Sequence, residues 1–358
     1  MTAAHENRKR SLVRIRAGRS QLAGLRSALM PTFLGALWLV AGAGCSAVSQ
    51  DGIQSIAVAP NEETIAFSFR DGNESLIVIR KLDQNKPIIL LREQQGTYHG
   101  RIVFSDYGRK LLFVRSRKNH RGDLYQINTD GTGLRQITDG QPGTENILDF
   151  GLSQDSNTLY FINSGYYGHY SPIAASMPHE MDFYSVRVDG TGLERLSFGK
   201  SYALQGVVVS PSGDAIYSRF GLLDLQGDRA IKPFDYNSRL LVYTSNYPLS
   251  GFMADGSLVL ASGKAERSKP GYSSRQWIPL DEGWAVYGYG LYQANINDKT
   301  VREIIHLPSL LDNPAVMQAG QRVLFVRNDT VFGGKTGREL WSVNLDGSNL
   351  HKIDLGLQ

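Results

Sequence analysis

The segment Asp123-LYQINTDGTGLRQIT-Asp139 decides the fold prediction. Two other segments align with it, Asp182-FYSVRVDGTGLERLS-Phe198 and Glu339-LWSVNLDGSNLHKID-Leu355. Each contains a strand of alternating character, an Asp-Gly-Ser/Thr turn and a second strand. An Asp-Gly pair between alternating apolar residues indicates a hairpin, because glycine adopts the positive φ that tight hairpin turns require. The three segments therefore predict a repeated β-hairpin.

A second motif precedes the hairpin in each repeat. Its clearest copy is Val207-VVSPSGDAIYSRF-Gly221, which contains a strand, a Pro-Ser-Gly-Asp turn and another strand. Weaker copies are Ile56-AVAPNEETIAFSF-Arg70, Ile102-VFSDYGRKLLFVR-Ser116, Phe150-GLSQDSNTLYFIN-Ser164, Met253-ADGSLVLAS-Gly263 and Val316-MQAGQRVLFVR-Asn328. The six turns recur about every 52 residues. Four strands per repeat at this period predict an all-β protein, a six-bladed β-propeller of four-stranded antiparallel blades.

One stretch does not fit the repeat clearly. Residues 222–235 match the second half of the fourth blade. Residues 239–250 must then supply the inner strand of the fifth blade. The strand assignment between residues 222 and 253 stays open at this stage.

The two-part repeat resembles that of TolB-like propellers, which are also described as WD40-like. The resemblance rests on Ser-Pro-x-Gly before an apolar strand and on Leu-Tyr-x-x-Asn-x-Asp-Gly with a later Leu/Ile-Thr, and it covers residues 54–357. It implies a propeller over residues 54–358. TolB carries an α/β domain before its propeller, whereas only residues 46–53 lie between Cys45 and the first predicted strand here. The resemblance is therefore to a propeller alone.

The N-terminus has the pattern of an export signal. A basic stretch from Arg8 to Arg26 precedes an apolar run from Ala28 to Val40, and four small residues follow. The apolar run is shorter than the roughly 20 residues that a membrane-spanning helix needs. This order predicts a signal peptide at residues 1–44.

Cys45 follows the small residues and is the only cysteine in the chain. It resembles the lipidated cysteine of bacterial lipoproteins, so residues 45–53 are interpreted as a lipid attachment site and a short linker. Ser46 then implies the outer membrane. Two alternatives remain: cleavage after Ala43 with release into the periplasm, and an uncleaved anchor. A single thiol makes no internal disulfide, so the fold depends on its core.

The net charge of +4 belongs to the N-terminal segment. Residues 1–44 contain seven Lys or Arg and one acid, which leaves 31 basic and 33 acidic residues in the rest of the chain. The mature chain therefore has a net charge of −2. It lacks the basic surface of a nucleic-acid-binding protein, so no nucleic-acid partner is expected. A monomer that contacts the membrane only through its lipid is expected.

Long insertions predict which face binds a partner. With the strands of each blade labelled A to D from the axis outward, the insertions fall in the B–C connections, which all open on one face. Insertions in repeat proteins map to one face, which is often the binding face. The alternative is that these insertions are surface loops without a binding role. The candidate binding residues are of types common in interfaces: Arg115, Arg117, His120, Tyr166, Tyr167, His169, Tyr170, His179, Trp277 and Trp284.

Two functions from different classes are compatible with the sequence. The first is an envelope scaffold that binds a protein or a glycan. The second is a periplasmic lyase or hydrolase that acts on a sugar polymer or a lactone. The sequence has no nucleophile elbow, Walker loop or His-Glu-x-x-His, so no catalytic residue, metal or cofactor is assigned. The second function would gain support if His99, His120, His169 and His179 came within reach of one metal ion.

Overall fold

The computed structural model describes eleven stretches of the chain. They are residues 51–84, 86–94, 96–117, 122–169, 176–201, 204–218, 221–232, 249–267, 278–279, 284–328 and 337–357. The predicted signal peptide and Cys45 lie outside the described residues. None of the described residues forms a helix with the length and apolarity that a membrane crossing requires.

The described strands form six antiparallel sheets, which follow one another along the chain. The first three blades each have four strands, in the order in which they occur in the sequence. Blade 1 contains β1 Gly52–Val58, β2 Thr64–Asp71, β3 Glu74–Lys81 and β4 Ile88–Glu93. Blade 2 contains β5 Thr97–Ser105, β6 Lys110–Arg117, β7 Gly122–Asn128 and β8 Arg135–Gln136. Blade 3 contains β9 Ile147–Leu152, β10 Thr158–His169, β11 Ser176–Arg187 and β12 Glu194–Arg195.

Blade 4 has the shortest strands, and blade 5 has one strand more than the others. Blade 4 contains β13 Val208–Val209, β14 Ala215–Ser218, β15 Gly221–Asp224 and β16 Ile231–Lys232. Blade 5 contains β17 Leu249–Phe252, β18 Ser257–Arg267, β19 Ile278–Pro279, β20 Trp284–Asn295 and β21 Val301–Leu307. Blade 6 contains β22 Leu310–Met317, β23 Arg322–Asn328, β24 Glu339–Asn344 and β25 His351–Lys352. The predicted six-bladed propeller is confirmed.

The Asp-Gly turns form as the sequence predicts. Gly131 has a φ of 86°, and the carboxylate of Asp130 accepts hydrogen bonds from the Thr132 amide at 2.9 Å and from its hydroxyl at 2.7 Å. Asp189 and Asp346 bind the residues two positions later in the same way. These side chains satisfy the turn locally, which explains why the motif recurs at the tips of the blades.

The hydrophobic core is divided among the six junctions between neighbouring blades. One buried apolar cluster fills each junction, and every cluster draws residues from both of its blades. The cluster between blades 4 and 5 is the smallest among the described residues, and Val208 is its only fully buried member from blade 4. Each blade therefore depends on its neighbours for its core.

The ring closes by packing between blades 1 and 6. Phe67 and Ile65 of blade 1 are fully buried against Leu324 and Val326 of blade 6. The Arg338 side chain donates from Nε to the carbonyl of Ile53, and Gly52 and Arg338 form a parallel bridge. Among the described strands, blades 1 and 6 share none, since β1 and β22 each begin a separate four-stranded sheet.

The fourth and fifth blades resolve part of the stretch that the sequence left open. Residues 222–232 supply β15 and β16 as predicted. The inner strand of blade 5 is β17, Leu249–Phe252, so it overlaps the predicted range of 239–250 only at its end. Most of that range lies outside the described residues. For residues 239–248 the assignment therefore stays a prediction.

Candidate binding face

Two blades extend their B and C strands beyond the ring on the same face. In blade 3, β9 pairs with β10 as far as Asn163, whereas β10 and β11 stay paired as far as His169 and Ser176. We call residues 164–169 and 176–181 the blade-3 arm. In blade 5, β18 and β20 stay paired as far as Arg267 and Trp284, and β19 adds a short third strand. We call residues 263–267, 278–279 and 284–288 the blade-5 arm.

The insertions are therefore strands where described, and the expectation of loops was wrong for them. Their backbone groups are paired with each other, which a free loop could achieve only with water. The two arms belong to the blades on either side of blade 4, whose strands are the shortest. We call the face that carries them the arm face, and the opposite one, with the A–B and C–D turns, the turn face.

The blade-3 arm is held together by contacts within it. Tyr166 and His179 are cross-strand partners, and their rings stack with centroids 5.8 Å apart. The Nε2 of His179 lies 3.2 Å from the carbonyl oxygen of Gly168, and the amide of His179 donates to the Ser164 hydroxyl at 3.1 Å. The arm is thus an ordered ribbon that presents Tyr166, whose surface is 56% exposed.

The predicted tyrosine cluster is divided by the strand. Tyr166 and Tyr167 are consecutive in β10, so their side chains lie on opposite sides of the arm. Tyr167 is half-buried. His169 is the last residue of β10, and Tyr170 lies outside the described residues. The alternation of the strand therefore separates two of the candidate tyrosines, with Tyr166 on one side of the arm and Tyr167 on the other.

The remaining candidates that the structure describes belong to blades 2 and 5. Arg117 is exposed at the end of β6, and Trp284 is the first residue of β20 in the blade-5 arm. His120 and Trp277 lie outside the described residues. The binding role of all these residues stays a prediction.

Arg115 takes part in a buried network between blades 1 and 2. Its Nε donates to the Glu93 carboxylate at 2.9 Å, and its guanidinium lies 5.0 Å from the centre of the Tyr125 ring. The same carboxylate lies 2.7 Å from Nε2 of His99, and Nδ1 of that histidine lies 2.9 Å from the Ser75 hydroxyl. Burial alone would raise the pKa of Glu93, but the hydrogen bonds from His99 and Arg115 hold it below its usual value. The geometry assigns Arg115 to this junction.

A buried acid lies on the innermost strand of blade 3. Asp149 accepts a hydrogen bond from the Phe150 amide at 2.8 Å, and its other oxygen lies 3.5 Å from the guanidinium of Arg101 on β5. Burial raises the pKa of Asp149 to about 6, although the charge of Arg101 acts in the opposite direction. Asp149 is therefore a buried carboxyl that releases its proton nearer to neutral pH than an exposed aspartate does.

A second buried acid occupies the innermost strand of blade 6. The Asp312 carboxylate lies 2.8 Å from the guanidinium of Arg338, and the side-chain amide of Asn313 donates to it at 2.7 Å. That amide also lies 3.0 Å from the carbonyl of Gln54 in blade 1. Burial raises the pKa of Asp312 in spite of its arginine partner. Asn313 and Arg338 thus link this carboxylate to backbone carbonyls of blade 1 at the junction that closes the ring.

Sequence analysis did not identify these buried charges. The signal available was an aspartate inside an apolar stretch, as in Leu148-Asp149-Phe150 and Leu311-Asp312. An aspartate is costly to bury unless it is paired, so its presence in an apolar stretch indicates a cationic or hydrogen-bonding partner elsewhere in the chain. The partner itself cannot be named from the sequence, because Arg101 is 48 residues from Asp149.

The histidines that would support a metal site are separated where the structure describes them. His99 is buried in the junction between blades 1 and 2, whereas His179 belongs to the blade-3 arm. Within the described stretches, no group of three or more His, Cys, Asp or Glu side chains could hold a metal ion.

Known structures share this architecture at low sequence identity. No family model matches the chain, and no curated protein matches it. TolB from Acinetobacter baumannii aligns over 80% of this chain with 15% identity and a TM-score of 0.50, and the chain spans 62% of that structure. A putative TolB from Agrobacterium tumefaciens aligns over 78% of this chain and 88% of its own, with 14% identity and a TM-score of 0.52. A gluconolactonase from Xanthomonas campestris aligns over 77% of this chain and 82% of its own, with 15% identity and a TM-score of 0.52. The chain therefore has a β-propeller fold that resembles the fold of TolB.

Proposed function

We propose that this chain is an exported binding propeller of the bacterial cell envelope, which engages a protein or a glycan through its arm face. The observation that supports the proposal is the extension of two blades on one face. The blade-3 arm and the blade-5 arm project on the same side, and Tyr166 is 56% exposed on an ordered ribbon. A rigid aromatic side chain of this kind contributes contact area at a small cost in entropy.

The proposal includes the route to the envelope. The signal-like pattern at residues 1–44 and the position of Cys45 support a lipoprotein, and Ser46 supports the outer membrane as its destination. Several acyl chains hold a protein firmly, whereas one binds reversibly. The anchor would leave the propeller on the periplasmic side of the membrane, where envelope proteins and glycans are its available partners.

A binding experiment tests the arm face. The mature protein is used to isolate partners from envelope extract, and the affinity of each purified partner is then measured by calorimetry. Replacing Tyr166, Tyr167 and Tyr170 together by alanine should weaken binding more than tenfold, because truncating interface aromatics costs about 2 kcal/mol or more each at hot spots.

Matched variants on the turn face provide the control. Thr132→Ala and Thr191→Ala remove hydroxyls beside the Asp-Gly turns, and they should leave the affinity unchanged. Loss of binding in these variants, with full binding by the tyrosine variant, would show that the arm face is not the binding face.

A further inference from the structure

The turn face contains a cleft between blades 1 and 2, with a volume of about 270 Å³. Its walls are the A–B turn of blade 1, the connection between β3 and β4, and the A–B turn of blade 2. Pockets for small ligands occupy about 300–1,000 Å³, so this cleft lies just below that range and suits only a small ligand. It lies on the opposite side of the ring from the arms, so what it binds is independent of the proposed function.

The cleft is positively charged. Its described lining includes Arg80, Lys81 and Lys86, and it includes no carboxylate. Arg80 is buried and donates to the backbone carbonyls of Gln84 and Asp354, so it supplies a fixed charge. Lys81 and Lys86 are exposed, and neither forms an ion pair with any residue that the structure describes. These two ammonium groups are therefore available to a ligand.

Two of the acids near the cleft are already engaged, whereas Glu63 and Asp83 adjoin its lining in the sequence but are not among the residues that line it. The Glu62 carboxylate accepts hydrogen bonds from the backbone amides of Ala319 and Gly320 in blade 6, each at 3.1 Å. Asp106 pairs with Arg109 and lies 3.4 Å from the ammonium of Lys110. Neither carboxylate neutralises the lysines that line the cleft.

The A–B turn of blade 2 differs from the other five in its backbone. All six turns have one left-handed residue at the same position, and these are Glu62, Gly108, Ser156, Gly213, Gly256 and Gln321. In blade 2 the two preceding residues are also left-handed, Asp106 with a φ of 50° and Tyr107 with a φ of 54°. A bulky side chain rarely adopts this conformation, and such strain concentrates at functional sites. Here it holds the Tyr107 ring 93% exposed beside the cleft.

Apolar groups complete the lining. Ile88, the first residue of β4, is 60% exposed and lies in the cleft wall with Ile79. The cleft thus combines two available cations, an aromatic ring and an aliphatic wall. We propose that it binds a small organic anion in which one carboxylate is carried on an apolar body.

Calorimetric titration of the mature protein with phenylacetate tests the proposal. The expected result is saturable binding that weakens at least tenfold in two variants, Tyr107→Gly and the double variant Lys81→Gln/Lys86→Gln. Glycine suits the left-handed backbone of residue 107, so the first variant removes the ring and keeps the turn. The melting temperature of each variant verifies that it is folded.

Matched controls separate this cleft from general charge and from the arm face. Lys299→Gln removes an exposed lysine from a turn of blade 5, and Tyr166→Ala removes the exposed tyrosine of the blade-3 arm; both should bind phenylacetate like the wild type. Phenylacetamide, which lacks the charge, and inorganic phosphate, which lacks the apolar body, should each bind at least tenfold more weakly. The proposal is overturned if phenylacetate shows no saturable binding, if either comparison ligand binds equally well, or if the two cleft variants retain wild-type affinity.

Discussion

Replacing Asp149 by asparagine should change the way in which the stability of the propeller depends on pH. Asp149 is buried on the innermost strand of blade 3, and burial raises its pKa from 3.8 to about 6. The folded protein therefore holds a proton on this carboxyl between about pH 4 and pH 6, where the unfolded chain has released it. Stability from this group is present at low pH and is lost as the pH rises through that window.

The size of the effect follows from the two pKa values. They differ by about 2 pH units, and each unit corresponds to about 1.4 kcal/mol, so the full contribution is about 3 kcal/mol. Because the unfolded carboxyl is already more than half ionised at pH 4, the wild type should lose about 2 kcal/mol of it between pH 4 and pH 7. Asparagine does not titrate, and its side-chain oxygen can still accept the hydrogen bond from the Phe150 amide. The variant should therefore lack this loss.

Urea unfolding of both proteins at a series of pH values measures the difference directly. The free energy of unfolding of Asp149→Asn minus that of the wild type should rise by about 2 kcal/mol from pH 4 to pH 7. Asp130→Asn is the matched control. Hydrogen bonds from Thr132 lower the pKa of Asp130, so its contribution to stability changes with pH in the opposite direction to that of Asp149. A difference for Asp149→Asn that stays constant would show that the ion pair with Arg101 balances burial, and one that falls as the pH rises would show that the ion pair outweighs burial.

Other consequences of the fold and the proposals can be tested separately. Phe67→Ala should lower the free energy of unfolding by about 3–5 kcal/mol in urea titrations, because the fully buried Phe67 side chain packs at the junction between blades 1 and 6. A loss below about 1 kcal/mol would contradict the closure of the propeller at this junction. Deletion of residues 309–358 removes blade 6 and exposes two core clusters, so a soluble fragment that melts cooperatively would be the contrary result. Cys45→Ser should abolish labelling with radioactive palmitate and release the protein from membranes, whereas an unlabelled wild type would favour cleavage after Ala43. Tyr107→Gly should keep the wild-type melting temperature or raise it, and a clear decrease would show that the exposed ring is structural.

The blades could be predicted because their turns are local. Asp130 and Gly131 carry the whole signal for a hairpin, since the carboxylate bonds two residues ahead and the glycine adopts positive φ. The same reasoning located the A–B turns from Pro-Ser-Gly-Asp and its weaker copies. Six copies of this local turn signal were sufficient to predict the propeller, because the packing between neighbouring blades repeats around the ring.

The features of the arm face depend on contacts between residues far apart in sequence. The insertion in blade 3 was visible, but nothing in Gly165-Tyr166-Tyr167-Gly168 shows that it pairs with residues 176–179. The pairing of Arg115 with Glu93, 22 residues earlier, depends on how two blades are placed side by side. The sequence therefore indicated which face is elaborated, and not which of its charged groups are used internally.

Site-specific photocrosslinking tests the proposed binding face most directly. A photoreactive phenylalanine analogue is introduced at position 166 in the blade-3 arm, and in a parallel sample at position 132 on the turn face, in cells that express the full chain. Irradiation should produce a discrete adduct from position 166 and none from position 132. An excess of unlabelled mature protein should compete for the partner and reduce the amount of this adduct. An adduct from position 132 alone would contradict the assignment of the arm face.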